Sequence, residues 1–222
     1  MKSKQLLNRI VAVTVALLLT VTFVLQFPAS AATNPYTDLT TKDGHYEAII
    51  ELTESGVVAG VTKSQYQSSK AATRGEAAQF IVNAIGVEKI SNSKPTFTDV
   101  PTTNKYYADI ETLVALGVVG GHVDGTFKPE GTLKRSEIAK MLTLAFELEV
   151  SSATTTKFSD VNAIKNTNEK RYIQTLIDYG ITNGTSATKF SPYETLTRGQ
   201  LATFLKRSMD AVSDEFMIIG VE

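Results

Sequence analysis

Thr73-Arg74-Gly75-Glu76 opens an apolar run that continues through Ile85, and the pattern recurs. Lys134-Arg135-Ser136-Glu137 opens a second run and Thr197-Arg198-Gly199-Gln200 a third. Aligned on Gly56, Gly117 and Gly180, three copies of one unit keep register. The Arg follows 18 positions later each time, a second glycine (Gly60, Gly121, Gly184) 4 later, and an aromatic (Tyr66, Phe127, Phe190) 10 later. Each unit starts with aromatic-x-Asp-aliphatic: Tyr36-Thr37-Asp38-Leu39, Phe97-Thr98-Asp99-Val100 and Phe158-Ser159-Asp160-Val161. Units one and two repeat at 61 residues, and unit three carries two extra residues between Asp160 and Gly180. A fixed period of this length is the mark of a repeat architecture.

Two helices are predicted in each unit. Ile49, Leu52 and Thr53, then Ile110, Leu113 and Val114, then Ile173, Leu176 and Ile177 fall three or four apart, which lays a stripe along one helix face. That helix ends at the first glycine, where a left-handed cap costs glycine little. A loop of about ten residues follows, with Asp124-Gly125 as its turn signal in unit two. The second helix begins at the Arg motif. Thr73 with Glu76 and Thr197 with Gln200 fit a capping box, whereas Lys134 leaves the box of unit two incomplete. Ala77, Phe80, Ile81, Ala84 and Ile85 form its core-facing stripe in unit one, and Ile138, Met141, Leu142, Ala145 and Phe146 do so in unit two.

One such unit buries too little apolar surface to fold alone. The expected architecture is therefore mainly α: three tandem helix-loop-helix repeats, 34–90, 95–149 and 156–211, pooled into one pseudo-threefold domain, with a tail at 212–222. Residues 1–31 read as a secretory signal peptide: Lys2, Lys4 and Arg9, an apolar stretch from Ile10 to Phe27, then Ala29-Ser30-Ala31 for cleavage. Membrane association is expected only through that segment, if it is left uncleaved.

Composition narrows the function. Without the leader the chain holds 19 basic and 23 acidic residues, a net charge of −4, which argues against nucleic acid as a partner. There is no cysteine, so thiolate metal sites and disulfides are excluded. His45 and His122 occupy different offsets in their units and form no repeated site; each reads as a lone surface histidine. No nucleophile–base set, glycine-rich phosphate loop or calcium loop is present, so no enzyme activity, cofactor or metal is expected. The candidate ligand residues are the repeated ones. Arg74, Arg135 and Arg198 sit at helix N-termini, where free amides and the dipole favour anions and a guanidinium can grip a carboxylate. Pairing with a neighbouring carboxylate is the alternative reading of these arginines. Tyr46 and Tyr107 could stack on a sugar face, with Lys170 standing at that position in unit three and Tyr172 turned elsewhere. Gly60, Gly121 and Gly184 would let a ligand approach the backbone. Asp38, Asp99 and Asp160 read as helix N-caps or, alternatively, as ligands. Tyr66, Phe127 and Phe190 read as core.

The set aromatic-x-Asp-Val, helix, Gly-(Val/Ile)-x-x-Gly, Asp-Gly-Thr-Phe-x-Pro and Arg-x-Glu resembles the S-layer homology (SLH) domain family. Unit two carries it best, in Phe97–Val100, Tyr106-Tyr107-Ala108, Gly117–Gly121, Asp124–Pro129 and Arg135–Glu137. What the resemblance implies is a three-pronged module whose inter-repeat grooves bind secondary cell-wall polysaccharide, typically pyruvylated, and tether a secreted protein to the wall or surface layer of a Gram-positive-type bacterium. Unequal grooves are expected, with the one using unit two the most trusted. An envelope scaffolding or assembly protein, working through contacts with other envelope proteins, is the alternative.

Overall fold

A computed structural model describes residues 33–90 and 94–219; the leader expected at 1–31 lies outside them, as do 91–93 of the first linker and 220–222 of the tail. Among the described residues there are seven helices and no strand: α1 Tyr46–Glu54, α2 Arg74–Ile85, α3 Tyr107–Ala115, α4 Arg135–Ala145, α5 Ser159–Asn162, α6 Thr167–Asp178 and α7 Arg198–Ile219. The chain is thus the expected set of three helix-loop-helix repeats. Two boundaries differ from the sequence reading. The extra residues of repeat three go into the short α5 and an earlier start for α6, whose N-cap Asn166 accepts from the amides of Asn168 and Glu169. The third repeat's last helix also runs through residue 211 without a break, as far as Ile219.

Local rules explain the helix ends. Gly56, Gly117 and Gly180 hold φ of 73°, 71° and 67° just beyond their helices, as a left-handed stop requires. Thr73 and Glu76 form a complete capping box. Thr197 and Gln200 form one as well, by hydrogen bonds of 3.1 and 3.2 Å. In repeat two only half of it exists: Glu137 accepts from the Lys134 amide at 2.8 Å.

The repeats close into a ring. Each repeat's second helix packs on the first helix of the next: α2 on α3, α4 on α6, and α7 back on α1. At the centre Ala72, Leu133 and Leu196, all fully buried, hydrogen-bond in a cycle. The Ala72 amide donates to Leu196, Leu196 to Leu133 and Leu133 to Ala72, each at 2.9 Å. A residue at the same register of every repeat therefore gives and receives one backbone bond, so no backbone group on the axis is left unpaired. Around this ring Ile49, Ile81, Ile110, Ile138, Ile173 and Leu205 are all fully buried. Burial at such sites contributes on the order of 1.5–3 kcal/mol per side chain.

The residue after each motif Arg sets how closely neighbours approach. A Cβ on Gly75 would lie 2.3 Å from the Tyr106 ring, and one on Gly199 would lie 2.6 Å from the His45 ring. Tyr106 and His45 occupy the same register position, whose counterpart in repeat three is Glu169; there the facing residue is Ser136. Glycine stands where a ring must be seated, and serine where none is. Gly75→Ala is expected to cost about 1–3 kcal/mol through overpacking. Ser136→Ala should stay within about 0.5 kcal/mol of the parent. Urea denaturation of both variants checks the pair; equal costs would contradict this account of the motif.

Candidate functional site

The loop joining the two helices of each repeat is held from both sides. Its aromatic, Tyr66, Phe127 or Phe190, is fully buried, as expected, and lies 5.3, 5.4 or 6.1 Å from the opening aromatic of its own repeat. The next residue, Gln67, Lys128 or Ser191, has φ of 59°, 60° or 60°, a left-handed conformation on a non-glycine residue in all three copies. The aspartates fasten this corner. Asp38 accepts from the amides of Tyr66 and Gln67 at 2.9 and 2.8 Å. Asp99 accepts from Phe127 and Lys128, both at 2.8 Å, and Asp160 from Phe190 and Ser191 at 3.1 and 2.8 Å. The N-cap reading of these three residues is therefore corrected: α1, α3 and α6 are preceded by His45, Tyr106 and Asn166. Both oxygens of each carboxylate accept from backbone amides, so holding the loop corner is the role the structure displays for these residues. Burial works to raise the Asp38 and Asp160 pKa, yet the donated amides outweigh it and hold both below the usual carboxylate value.

The carbonyls of the same corner go to the preceding repeat. Arg74 Nε donates to Phe127 O at 2.8 Å, and the amides of Gly75 and Arg74 donate to Pro129 O and Gly131 O at 2.8 and 2.9 Å. Arg135 and Ser136 repeat this on Phe190, Pro192 and Glu194 at 2.8, 2.9 and 3.1 Å. Arg198 and Gly199 close the circle on Tyr66, Ser68 and Lys70, each at 2.9 Å. The expectation of free amides beside the guanidinium is corrected here, because the first-turn amides are already engaged. Each guanidinium also lies over the loop aromatic, 4.7 Å from the Phe127 ring, 4.7 Å from Phe190 and 4.8 Å from Tyr66.

Beyond this shared grip the three arginines differ. Arg198 is ion-paired with Glu76 and donates from its other terminal nitrogen to Ala59 O at 2.6 Å. Arg74 pairs with Glu137 at 2.9 Å. In repeat three Gln200 stands at the register position of those glutamates, and Arg135 has no ion pair among the described residues. Burial depresses its pKa, while the charges of Glu194 and Asp160 work the other way. Structural pairing, the alternative weighed for these residues, therefore holds for Arg74 and Arg198 and fails for Arg135.

Other candidates also move. Tyr107 is buried at 3 % exposure, which removes it as a stacking platform, whereas Tyr46 is half-buried and lines a cavity of about 370 Å³ with Asp43 and Glu47. A Cβ on Gly60, Gly121 or Gly184 would strike the opening aromatic of its own repeat, Tyr36, Phe97 or Phe158, at 2.5, 2.3 and 2.5 Å. These glycines make room for a core ring rather than for a ligand. Gly121 nevertheless borders a cleft of about 200 Å³ with Arg74, His122, Glu137 and Lys140. A larger cavity, about 450 Å³, lies between repeats two and three and is bordered by Tyr172, Tyr193, Lys134, Lys140, Asn166 and Asn168. Tyr172, expected to face away from the Lys170 position, borders this cavity, and Lys170 does not. Tyr193, 59 % exposed with the Lys134 ammonium 5.8 Å above its ring, escaped the sequence reading because its counterparts are Glu130 and Ser69.

The S-layer homology domain family matches residues 35–78, 96–139 and 157–202, together more than half of the chain. The chain belongs to this family. Every SLH match contains one loop-holding Asp and one motif Arg, so the circular grip lies within the family's own segments. Relatives include an S-layer protein of Bacillus thuringiensis subsp. finitimus, 30% identical over 184 residues, and the S-layer protein sap of Bacillus anthracis, 29% identical over 184; each match covers 82% of this chain and 22% of the relative. A cellulosome-anchoring protein of Acetivibrio thermocellus is 27% identical over 145 residues, 62% of this chain and 32% of that protein. The SLH chain thus spans about a fifth of the length of the first two relatives.

His45 belongs to the seam between repeats three and one and is not a surface histidine. It is half-buried, with Nδ1 2.8 Å from Thr203 Oγ1. Burial lowers its pKa below 6.5, Arg207 acting in the same sense and Asp43 against it. The unfolded chain therefore takes up the proton first as pH falls. The stability contributed is complete above about pH 6.5 and is lost as pH drops from there towards the folded-state value. His45→Gln should flatten the change in Tm between about pH 7.5 and 5.5. An unchanged slope would contradict a neutral, seam-bound histidine.

Proposed function

We propose that this chain is a non-catalytic wall-anchoring module of the cell surface, binding secondary cell-wall polysaccharide in grooves between its repeats. The observation that carries the reading is the cavity between repeats two and three. Tyr172 and Tyr193 offer ring faces to the C–H side of a sugar, Asn166 and Asn168 offer amides to hydroxyls, and Lys134 and Lys140 supply positive charge for an acidic substituent such as a pyruvate ketal. Arg74 and Gly121 provide a second, smaller cleft that shares Lys140 and Glu137 with the first, so one extended chain could occupy both. The printed roles of the relatives, surface layers and cellulosome anchoring, are consistent with a tether that holds a larger protein at the cell exterior.

The test is co-sedimentation of the purified protein with wall sacculi, intact and acid-stripped of secondary polysaccharide. Binding to intact walls and loss on stripping is expected. Equal binding to both would shift the ligand to peptidoglycan. Binding to neither would favour the envelope-scaffolding reading.

A further inference from the structure

One dipeptide of the third repeat takes no part in the circular grip. Gly180-Ile181-Thr182-Asn183-Gly184 is the counterpart of Gly56-Val57-Val58-Ala59-Gly60 and of Gly117-Val118-Val119-Gly120-Gly121. The third copy alone puts a carboxamide ahead of the second glycine, and Asn183-Gly184 is the one Asn-Gly pair in the chain. Asn183 is exposed, and its side chain makes no hydrogen bond among the described residues. Its neighbour must be glycine. Gly184 has φ of 84°, and a Cβ there would lie 2.5 Å from the Phe158 ring and 2.5 Å from Lys189 O. The fold therefore keeps, beside an exposed carboxamide, the residue whose amide no side chain shields. That amide has a single partner among the described residues: it donates to the hydroxyl of buried Thr182 at 3.2 Å, at the long end of the range for such bonds.

We propose that Asn183 is a site of spontaneous deamidation through the Gly184 amide, and that the Thr182 hydroxyl is the brake on it. The Gly184 nitrogen gives up its proton to solvent base and attacks Asn183 Cγ. The N–Cγ bond forms, the Cγ–Nδ2 bond breaks and ammonia leaves, which closes a succinimide ring. Water then opens the ring at either carbonyl and leaves aspartate or isoaspartate in place of Asn183. Water is the only co-reactant. Asparagine is among the thermolabile residues, and an amide proton held by an acceptor is lost only when that bond opens, so the Thr182 bond slows the first step. The product forms at a sensitive place. At the same register Ala59 O accepts from Arg198, and Gly120 borders the cleft that holds Arg74. The reaction thus adds a negative charge at the seam between repeats two and three and at neither of the others. Isoaspartate, which routes the main chain through the former side chain, also lengthens a corner already packed against Phe158.

The test incubates the purified protein in mildly alkaline buffer and maps its peptides by mass spectrometry over time. The peptide containing position 183 is expected to gain the mass difference between asparagine and aspartate. It should also acquire isoaspartate, read by labelling with an isoaspartyl methyltransferase. Asn183→Gln should show neither change. Thr182→Val installs the residue that repeats one and two already carry, as Val58 and Val119. It should react about fivefold faster, the factor to which loss of one ordinary hydrogen bond corresponds. Hydrogen exchange distinguishes a freed amide from a loosened fold: Thr182→Val should exchange faster at Gly184 and unchanged at Ile138. A wild-type protein that stays unmodified while a synthetic peptide of residues 180–188 deamidates overturns the site. Equal rates in wild type and Thr182→Val overturn the role of Thr182, as does an acceleration matched by faster exchange at Ile138.

Discussion

Three carbonyls in one repeat's loop accept hydrogen bonds from the first turn of the preceding repeat's helix, and this contact fixes the rest of the structure. The Arg Nε and two helix N-terminal amides donate to those carbonyls at every seam. Those amides belong to the set that a helix end leaves unsatisfied. Here another repeat satisfies them, so the second helix of a repeat is properly begun only when its neighbour is in place. The loop is likewise incomplete without that neighbour, because Asp38, Asp99 and Asp160 hold only its amides. Since α7 grips the loop of repeat one, the dependence runs in a circle with no free end.

The same arrangement explains how a near-symmetric body comes to have unequal surfaces. The grip uses backbone and the arginine Nε, which every repeat supplies, so it tolerates differences farther out. Those differences fall on the outer ends of the arginines and on the rims: Glu76 and Glu137 on their guanidinium partners, with Gln200 at the same register, and Ser69, Glu130 or Tyr193 in the loop. A structural role that occupies one edge of each arginine leaves the other edge free to vary in role from seam to seam.

Much of this was open to reading from the residues. The 61-residue register, the glycine stops at Gly56, Gly117 and Gly180, and the incomplete cap at Lys134 follow from local rules and survive in the structure. What local rules do not carry is the partner of a side chain far along the chain. Asp38 and Asp99 reach amides 28 residues away, and Arg198 reaches Tyr66 across 132. Seen in sequence alone, an aspartate ahead of a helix suggests a cap and an arginine at a helix start suggests an anion site. In both cases the competing partner is a loop brought near only by ring closure. Tyr193 was hidden for the opposite reason: a search for repeated positions passes over a residue present in one copy.

Ring closure makes cooperativity the central claim, and differential scanning calorimetry of the purified protein tests it most directly. The account predicts one transition with a calorimetric-to-van't Hoff enthalpy ratio of about 1, because no repeat keeps its helix starts or loop once a neighbour unfolds. Two or three resolved transitions, or a ratio well above about 1, would show repeats folding independently and would contradict it.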